Sequence, residues 1–216
     1  ERAASRPART SLSAVRAGEY EALPSRLKAP AWKPDFGPAE FNPKTGAFVI
    51  GAREFLIAYN VNLDTEDANV AHEIARDVRS SGRVLKNAEG GIVRDASGAS
   101  VKVPGRLRAV RAIGWRLEGY RQAQVSINLL DYRVSPLHVV FETVREEAAK
   151  RGVRVTGSEI VGLVPLASLL KAGRHFLRRA GMPDGAPERD VVAAAAGSLG
   201  LSEISPFDPD RKIVEY

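Results

Sequence analysis

Along the chain, apolar residues alternate with a period of two in some stretches and recur every three or four positions in others. That contrast separates strands from helices. Phe55, Ile57, Tyr59, Val61 and Leu63 alternate with other residues and predict a strand. Thr65 then offers an N-cap, with Glu66 and Asp67 in a first turn where the helix dipole favours anions. Val70, Ile74 and Val78 recur at helical spacing, and Arg76, Arg79 and Gly82 mark the end of that helix. Residues 83 to 104 read as a polar hairpin, with turns near Glu89-Gly90-Gly91 and Ser97-Gly98. Leu107 to Leu117 and Ala123 to Tyr132 predict two further strands. Ser135 is a predicted N-cap with Pro136 at the first helical position. Leu137, Phe141, Val144 and Ala148 form one face of the helix that follows, which Gly152 stops. Val153 to Val164 predicts another strand. Pro165 opens a helix with Leu166, Leu169, Leu170, Gly173 and Leu177 on one face. Val191, Ala195 and Leu199 predict a last helix ended by Gly200, and Ile213, Val214 and Tyr216 a short terminal strand.

The order is β-α-β-β-α-β followed by extra helices. It predicts an α+β, ferredoxin-like antiparallel sheet with both crossover helices on one face, C-terminal helices and an inserted hairpin. Right-handed crossovers put the first of these strands between the third and the fourth. Before this unit, residues 1 to 24 are rich in Arg, Ala and Ser and read as a loop leading into a short helix. Residues 29 to 46 carry Pro30, Pro34, Gly37, Pro38, Pro43 and Gly46, an ordered but non-repetitive loop. A loop of that length in a compact domain points to function or to a linker.

Alternation also assigns faces. Asn60 and Asn62 point opposite to Tyr59, Val61 and Leu63; Ser126 and Asn128 point opposite to Val125, Ile127 and Leu129. Thr156 and Ser158 share one face of the fourth strand, with Val155, Gly157 and Glu159 on the other. If the large apolar faces meet the helices, Asn60, Asn62, Ser126, Asn128 and Ser158 gather small neutral hydrogen-bonding groups on the open face. An ordinary solvated face is one reading. Solvated faces are usually built from Lys, Glu and Arg, however, and small amides and hydroxyls suit close approach by a ligand. The other reading is therefore a polar ligand-holding groove.

Composition narrows the classes. The 216 residues are 44% apolar and 27% charged, too mixed for a membrane protein and too apolar for disorder. No apolar stretch reaches the roughly 18 residues that span a bilayer, and residues 1 to 6 lack a secretory apolar core, so the expectation is a cytoplasmic chain. There is no cysteine for a disulfide, a thiolate metal site or a nucleophile. The chain begins with Glu rather than Met, which reads as a fragment or a processed product. The net charge of +6 contains no block of like charge, so a solvated surface is favoured over a polyanion partner.

Catalytic candidates are few. His72 reads as a helix-surface residue, and His175, among Arg174, Arg178 and Arg179, as solvated. His138 falls in a first helical turn, where the dipole keeps imidazole neutral; it could be a base, a ligand contact or structural. No His pair has zinc-helix spacing, and there is no Walker loop, dinucleotide fingerprint or nucleophile elbow. The β-α-β-β-α-β order also occurs in RNA-recognition modules, but the strand Ala123 to Asn128 has no stacking aromatic, so no nucleic-acid partner is expected.

Seven segments together resemble one family: R-A-G-E-Y-E-A-L (16–23), W-K-P-D-F-G-P (32–38), G-A-R-E-F-L-I-A-Y-N-V-N-L (51–63), I-G-W (113–115), A-Q-V-S-I-N-L-L-D (123–131), G-S-E-I-V-G-L-V-P-L (157–166) and P-F-D-P (206–209). In this order and spacing they resemble glutamate formimidoyltransferase, including the transferase part of formimidoyltransferase-cyclodeaminase, over nearly the whole chain. The hairpin at 83 to 104 looks longer than in the animal bifunctional forms.

The resemblance implies two α/β subdomains with a folate tunnel between them. Residues 1–54 would be the tail of the N-terminal subdomain, most of which is missing, and 55–216 the C-terminal subdomain. It maps the folate-binding segment onto Gly37, Pro38, Ala39, Glu40, Phe41, Asn42, Pro43, Lys44, Thr45 and Gly46. The stiff prolines would pre-organise backbone groups against folate, and Lys44 suits its glutamate carboxylates. The implied reaction moves a formimino group between N-formimino-L-glutamate and tetrahydrofolate in histidine degradation, without a metal. The family's catalytic histidine lies upstream, and none of His72, His138 or His175 matches it. A homodimer is implied as well. The alternative is a non-catalytic folate-binding or interaction module of the same fold.

Overall fold

The computed structural model describes residue 9, residues 12–182 and residues 185–216. Most of the expected opening loop, at 1–8 and 10–11, lies outside the described residues. The chain divides into two compact units, Glu1–Arg53 and Glu54–Tyr216.

The first unit holds two short helices, α1 (Leu12–Arg16) and α2 (Leu23–Arg26), and a 3-10 turn at Pro30–Trp32. Side chains fasten it. The Arg26 guanidinium lies 4.2 Å over the Trp32 ring, and Arg9 donates to Asp35 at 2.7 Å. From Lys33 to Arg53 there is no helix or strand, as the density of proline and glycine predicts.

The second unit is mixed α/β. Its strands are β1 (Ile57–Leu63), the short pair β2 (Arg83–Val84) and β3 (Lys102–Val103), β4 (Val110–Leu117), β5 (Gln122–Leu129) and β6 (Val155–Val161). Its helices are α3 (Ala68–Val78), α4 (Leu137–Ala149), α5 (Leu166–Arg179), α6 (Glu188–Leu199) and the short α7 (Pro209–Lys212). The four long strands form one antiparallel sheet in the order β4-β5-β1-β6, so the first of them lies between the third and the fourth. β2 and β3 are the base of the inserted hairpin.

Ile57, Tyr59, Val61 and Leu63 of β1 face one core with Ala123, Val125, Ile127 and Leu129 of β5. Ile74 and Val78 of α3 and Leu137, Val140 and Val144 of α4 close it. Gly114 shows how closely α3 approaches: a Cβ there would stand 2.0 Å from the His72 backbone nitrogen and 2.2 Å from the Ala71 carbonyl carbon. α5 and α6 touch just as tightly at Gly173, where a Cβ would meet the Val191 carbonyl oxygen at 2.0 Å.

Four local expectations are corrected. The N-cap of α3 is Asp67, whose carboxylate accepts from the Asn69 N–H at 2.8 Å. Thr65 cannot start the helix because its carbonyl is still tied to the Ala123 N–H of β5. Pro136, not Ser135, stands at the N-cap of α4; the Ser135 hydroxyl instead donates to the Arg108 carbonyl at 2.6 Å. The C-terminus is no strand. Asp208 caps α7, and Ile213 then makes one isolated bridge to Val164. The fourth correction concerns Ser158. The β1–β6 register pairs Ser158 with Val61, Gly157 with Asn62 and Glu159 with Asn60, so Ser158 belongs to the apolar face. Polar residues occupy both parities of Val155–Val161, so alternation alone could not decide. Ser158 is fully buried, and its hydroxyl donates to the Leu199 carbonyl at 2.6 Å.

Candidate functional site

The face of the sheet opposite the core is polar, and cross-strand pairing orders it into rungs. One rung is Trp115, Gln124, Asn62 and Gly157; the next is Ile113, Ser126, Asn60 and Glu159; the third is Arg111, Asn128, Ala58 and Val161. Trp115, Ile113, Asn128 and Val161 are exposed, while Asn60, Asn62 and Gln124 are buried by their polar neighbours. Asn60, Asn62, Ser126 and Asn128 therefore share one face, and Ser158 does not.

The first rung is locked by hydrogen bonds. The Trp115 indole N–H donates to Gln124 Oε1 at 2.8 Å. Gln124 Nε2 donates to Asn62 Oδ1 at 2.7 Å and to Glu159 Oε1 at 3.0 Å. Asn60 Nδ2 also donates to Glu159 Oε1, at 2.9 Å. Asn62 Nδ2 donates to Glu203, whose other carboxylate oxygen accepts from Gln122 Nε2 at 2.7 Å. Glu203 reaches the sheet because Gly157 and Gly200 pass back to back: a Cβ on Gly157 would come within 2.7 Å of the Glu203 Cβ. Buried amides are thus paired with one another rather than with water, which fixes their rotamers. The outward atoms of the second rung are different. Ser126 Oγ, Asn60 Oδ1 and Glu159 Oε2 make no hydrogen bond to any described residue.

Sequence reasoning missed Gln124, Glu159, Gln122, Glu203 and Trp115. Gln124 was signalled by sharing the period of Ser126 and Asn128. Glu159 was hidden because polarity at Ser158 drew the face assignment to the wrong parity. Glu203 lies beyond α6 and had no local signal.

In the first unit, the segment 37–46 folds on Tyr20. The Tyr20 hydroxyl donates to the Pro43 carbonyl at 2.7 Å, and its ring meets Phe41 edge-on at 5.3 Å between centroids. Asn42 closes the turn: its side chain accepts from the Lys44 N–H at 2.9 Å and its carbonyl from the Gly46 N–H at 2.9 Å. Gly46 needs its positive φ of 61° for that return. Gly37, Pro38, Ala39, Glu40, Pro43, Lys44 and Thr45 stand exposed around this anchor.

The histidines lie elsewhere. His138 is buried in the helix layer, its ring 4.3 Å from His175 and nearly parallel to it. His175 is half-buried by this stack and sits 3.5 Å from Glu142, so it is not the solvated residue that its arginine neighbours predicted. Burial, with the His175 charge adding to it, lowers the His138 pKa to about 4. Among the described residues, no three His, Asp or Glu converge to hold a metal ion, and no helix is long and apolar enough to cross a membrane.

A four-stranded antiparallel sheet with α3 and α4 packed against it and amides on the face opposite the core defines a mixed α/β domain. Comparison with known proteins is specific. Residues 58–216 match the formiminotransferase domain, and residues 1–53 match the N-terminal subdomain of the formiminotransferase domain. The chain is 44% identical over 214 residues to formimidoyltransferase-cyclodeaminase of Mus musculus, covering 99% of this chain and 36% of that protein. It is 36% identical over 178 residues to glutamate formimidoyltransferase of Streptococcus pyogenes serotype M1, covering 82% of this chain and 52% of that protein. Against glutamate formimidoyltransferase of Thermoplasma acidophilum it is 38% identical over 185 residues, covering 85% and 54%. The chain belongs to the formiminotransferase family. It spans only about a third to a half of the length of these curated relatives.

Proposed function

We propose that the protein is a glutamate formimidoyltransferase, moving a formimino group between N-formimino-L-glutamate and tetrahydrofolate, with folate as substrate and no metal. The strand order and the single helix layer support the ferredoxin-like reading of residues 55–216 as the C-terminal subdomain, with 1–54 the tail of the N-terminal one. The observation that carries the function is the open sheet face, where neutral amides and a hydroxyl stand in rungs beside an exposed tryptophan. Such a surface offers stacking and hydrogen bonds together, which suits a pteridine ring. Asn60, Ser126 and Asn128 line it, while Asn62 is fully buried in the neighbouring rung and braced by Gln124 and Glu203. Arg111, at the β4 end, offers a cation for a substrate carboxylate. The segment Gly37 to Gly46 is the folate-binding loop, held in shape by Tyr20 and Asn42, with Lys44 exposed for the glutamate tail.

In this reaction an amine nitrogen attacks the amidine carbon, a tetrahedral intermediate forms, and the other nitrogen leaves as it takes up a proton. This chain's part is to bind and orient, which supplies much of the rate when two small reactants must meet. The family resemblance puts the general base outside these residues, in keeping with His138 and His175 being stacked on each other in the helix layer. The family resemblance implies a partner subdomain that supplies the base, and a homodimer. Folate titration followed by tryptophan fluorescence tests the reading. The 216-residue chain should bind tetrahydrofolate weakly and saturably and show no transfer. Robust turnover by this chain alone would place a base within it, and absence of any folate binding would favour the non-catalytic interaction module.

A further inference from the structure

We propose that Glu159, held by Asn60 and Gln124, is the ligand's anchor for a planar N–C–N donor edge, the chemistry of an amidine. The proposal rests on the reading of the open sheet face as a ligand wall. Its physical basis is an unusual arrangement of acceptors. Glu159 Oε1 takes two amide N–H groups, from Asn60 at 2.9 Å and Gln124 at 3.0 Å. These two bonds fix the direction of the carboxylate. No Lys or Arg forms an ion pair with it among the described residues, in a chain with 32 Lys and Arg against 26 Asp and Glu. An oriented carboxylate without a cation is half of a charged pair.

The second observation is Asn60. It is only 6% exposed, yet its Oδ1 has no hydrogen-bond partner among the described residues, and it stands directly across from Glu159 in the β1–β6 register. With its amide nitrogen turned to the carboxylate, Asn60 presents oxygen. The free atoms at this place, Asn60 Oδ1 and Glu159 Oε2, are therefore both acceptors, with Ser126 Oγ on the other side of Asn60. Carboxylates, phosphates and carbonyl edges find no donor on Asn60 or Glu159. A ligand edge that presents two N–H donors in one plane, with positive charge spread over it, satisfies both oxygens at once. The proposed substrates carry such a donor edge in two places: the neutral aminopyrimidinone edge of tetrahydrofolate and, with the positive charge as well, the formamidinium group of N-formiminoglutamate.

The side-chain amide resonances of Asn60 and Gln124, followed by NMR in the full chain, read this directly. Tetrahydrofolate, N-formiminoglutamate and glutamate are the probes. A ligand with the donor edge should shift both amides, and glutamate, which lacks it, should not; which of the first two does so identifies the source. Glu159→Gln keeps an acceptor for Asn60 and Gln124 and should weaken that ligand about 10–100-fold, the loss expected for charge-assisted hydrogen bonds. Glu159→Asp keeps the charge but retracts it, and should retain the preference for the donor-bearing ligand at reduced affinity, a result that stands if the Gln variant does not fold. Ligands that bind both variants as tightly as the parent would overturn the role of Glu159 while leaving the ligand wall in place. Parent protein that shows no shift with any probe would overturn the wall reading, and this assignment with it.

Discussion

Lowering the pH from 6.5 to about 4.5 should destabilise the fold through one residue, His138. Its side chain enters the core side of α4, is 8% exposed, and stacks on His175 at 4.3 Å. Its Nδ1 is buried without a hydrogen-bond partner among the described residues. Protonation would place a charge where burial opposes it most, with His175, Lys171 and Arg178 adding repulsion and Glu142 giving partial relief. The folded-state pKa is about 4 against an ordinary value of 6.5. In that window the unfolded chain binds the proton and the native one does not, so stability falls as pH falls. A pKa gap of that size lowers stability by about 1–2 kcal/mol between pH 6.5 and 4.5, allowing for partial solvent screening at the edge of the stack. Urea unfolding of the parent chain and of His138→Phe, at several pH values, measures it. Phenylalanine keeps the ring against His175 and removes the titration, so the two stability curves should diverge toward acid, with the variant the flatter. Parallel curves would refute the reasoning, because every other titrating group is common to both chains.

Two further outcomes follow from packing and charge. Glu147, 4% exposed, accepts from Lys150 at 2.7 Å, Arg106 at 2.9 Å and Arg151 at 3.2 Å; burial alone would raise its pKa, but these bonds outweigh that and hold it below 4.5. Glu147→Gln should cost about 3 kcal/mol at neutral pH, read from denaturant midpoints. Because its pKa is lowered, its contribution is present above about pH 4.5 and disappears as pH falls through the depressed value, below the window that isolates His138. Gly114→Ala should cost about 2–4 kcal/mol and lower the melting temperature, since its methyl group would meet the α3 backbone at 2.0 Å and no side-chain rotation can relieve that.

Much of the fold was legible because both periods are clear. Apolar alternation at Ile57, Tyr59, Val61 and Leu63 found β1, and helical spacing at Val191, Ala195 and Leu199 found α6 with Gly200 in the left-handed conformation just beyond it. Boundaries slipped where a tertiary bond competed with local propensity, as when Ala123 held the Thr65 carbonyl and moved the cap to Asp67. Asn60, Asn62, Ser126 and Asn128 were placed on one face by parity alone. Ser158 was not, because a hydroxyl can be satisfied in a core as well as at a surface, and the sequence does not show which carbonyl will receive it. The stack of His138 on His175 was equally hidden: it joins α4 to α5, and no pattern within either helix announces the other.

The two faces of the sheet divide the work, and a substitution series can separate them. Ser126 and Asn128 make no side-chain hydrogen bond to any described residue and lie outside the core, so Ser126→Ala and Asn128→Ala should change stability by less than about 0.5 kcal/mol. Gln124 is fully buried on the same face and joins Trp115, Asn62 and Glu159 in one network. Gln124→Ala leaves the Asn62 oxygen without its donor and releases Glu159 from one of its two amides, which should cost about 1–3 kcal/mol. Folate affinity should rank these variants differently. Ser126 and Asn128 face outward, where a ligand would lie, and their loss should weaken binding without moving the unfolding midpoint. Unfolding and titration curves measured on the same samples decide the matter. If all three variants lose stability in proportion to affinity, the open face is simply part of the scaffold, and its amides were selected for packing rather than for a ligand.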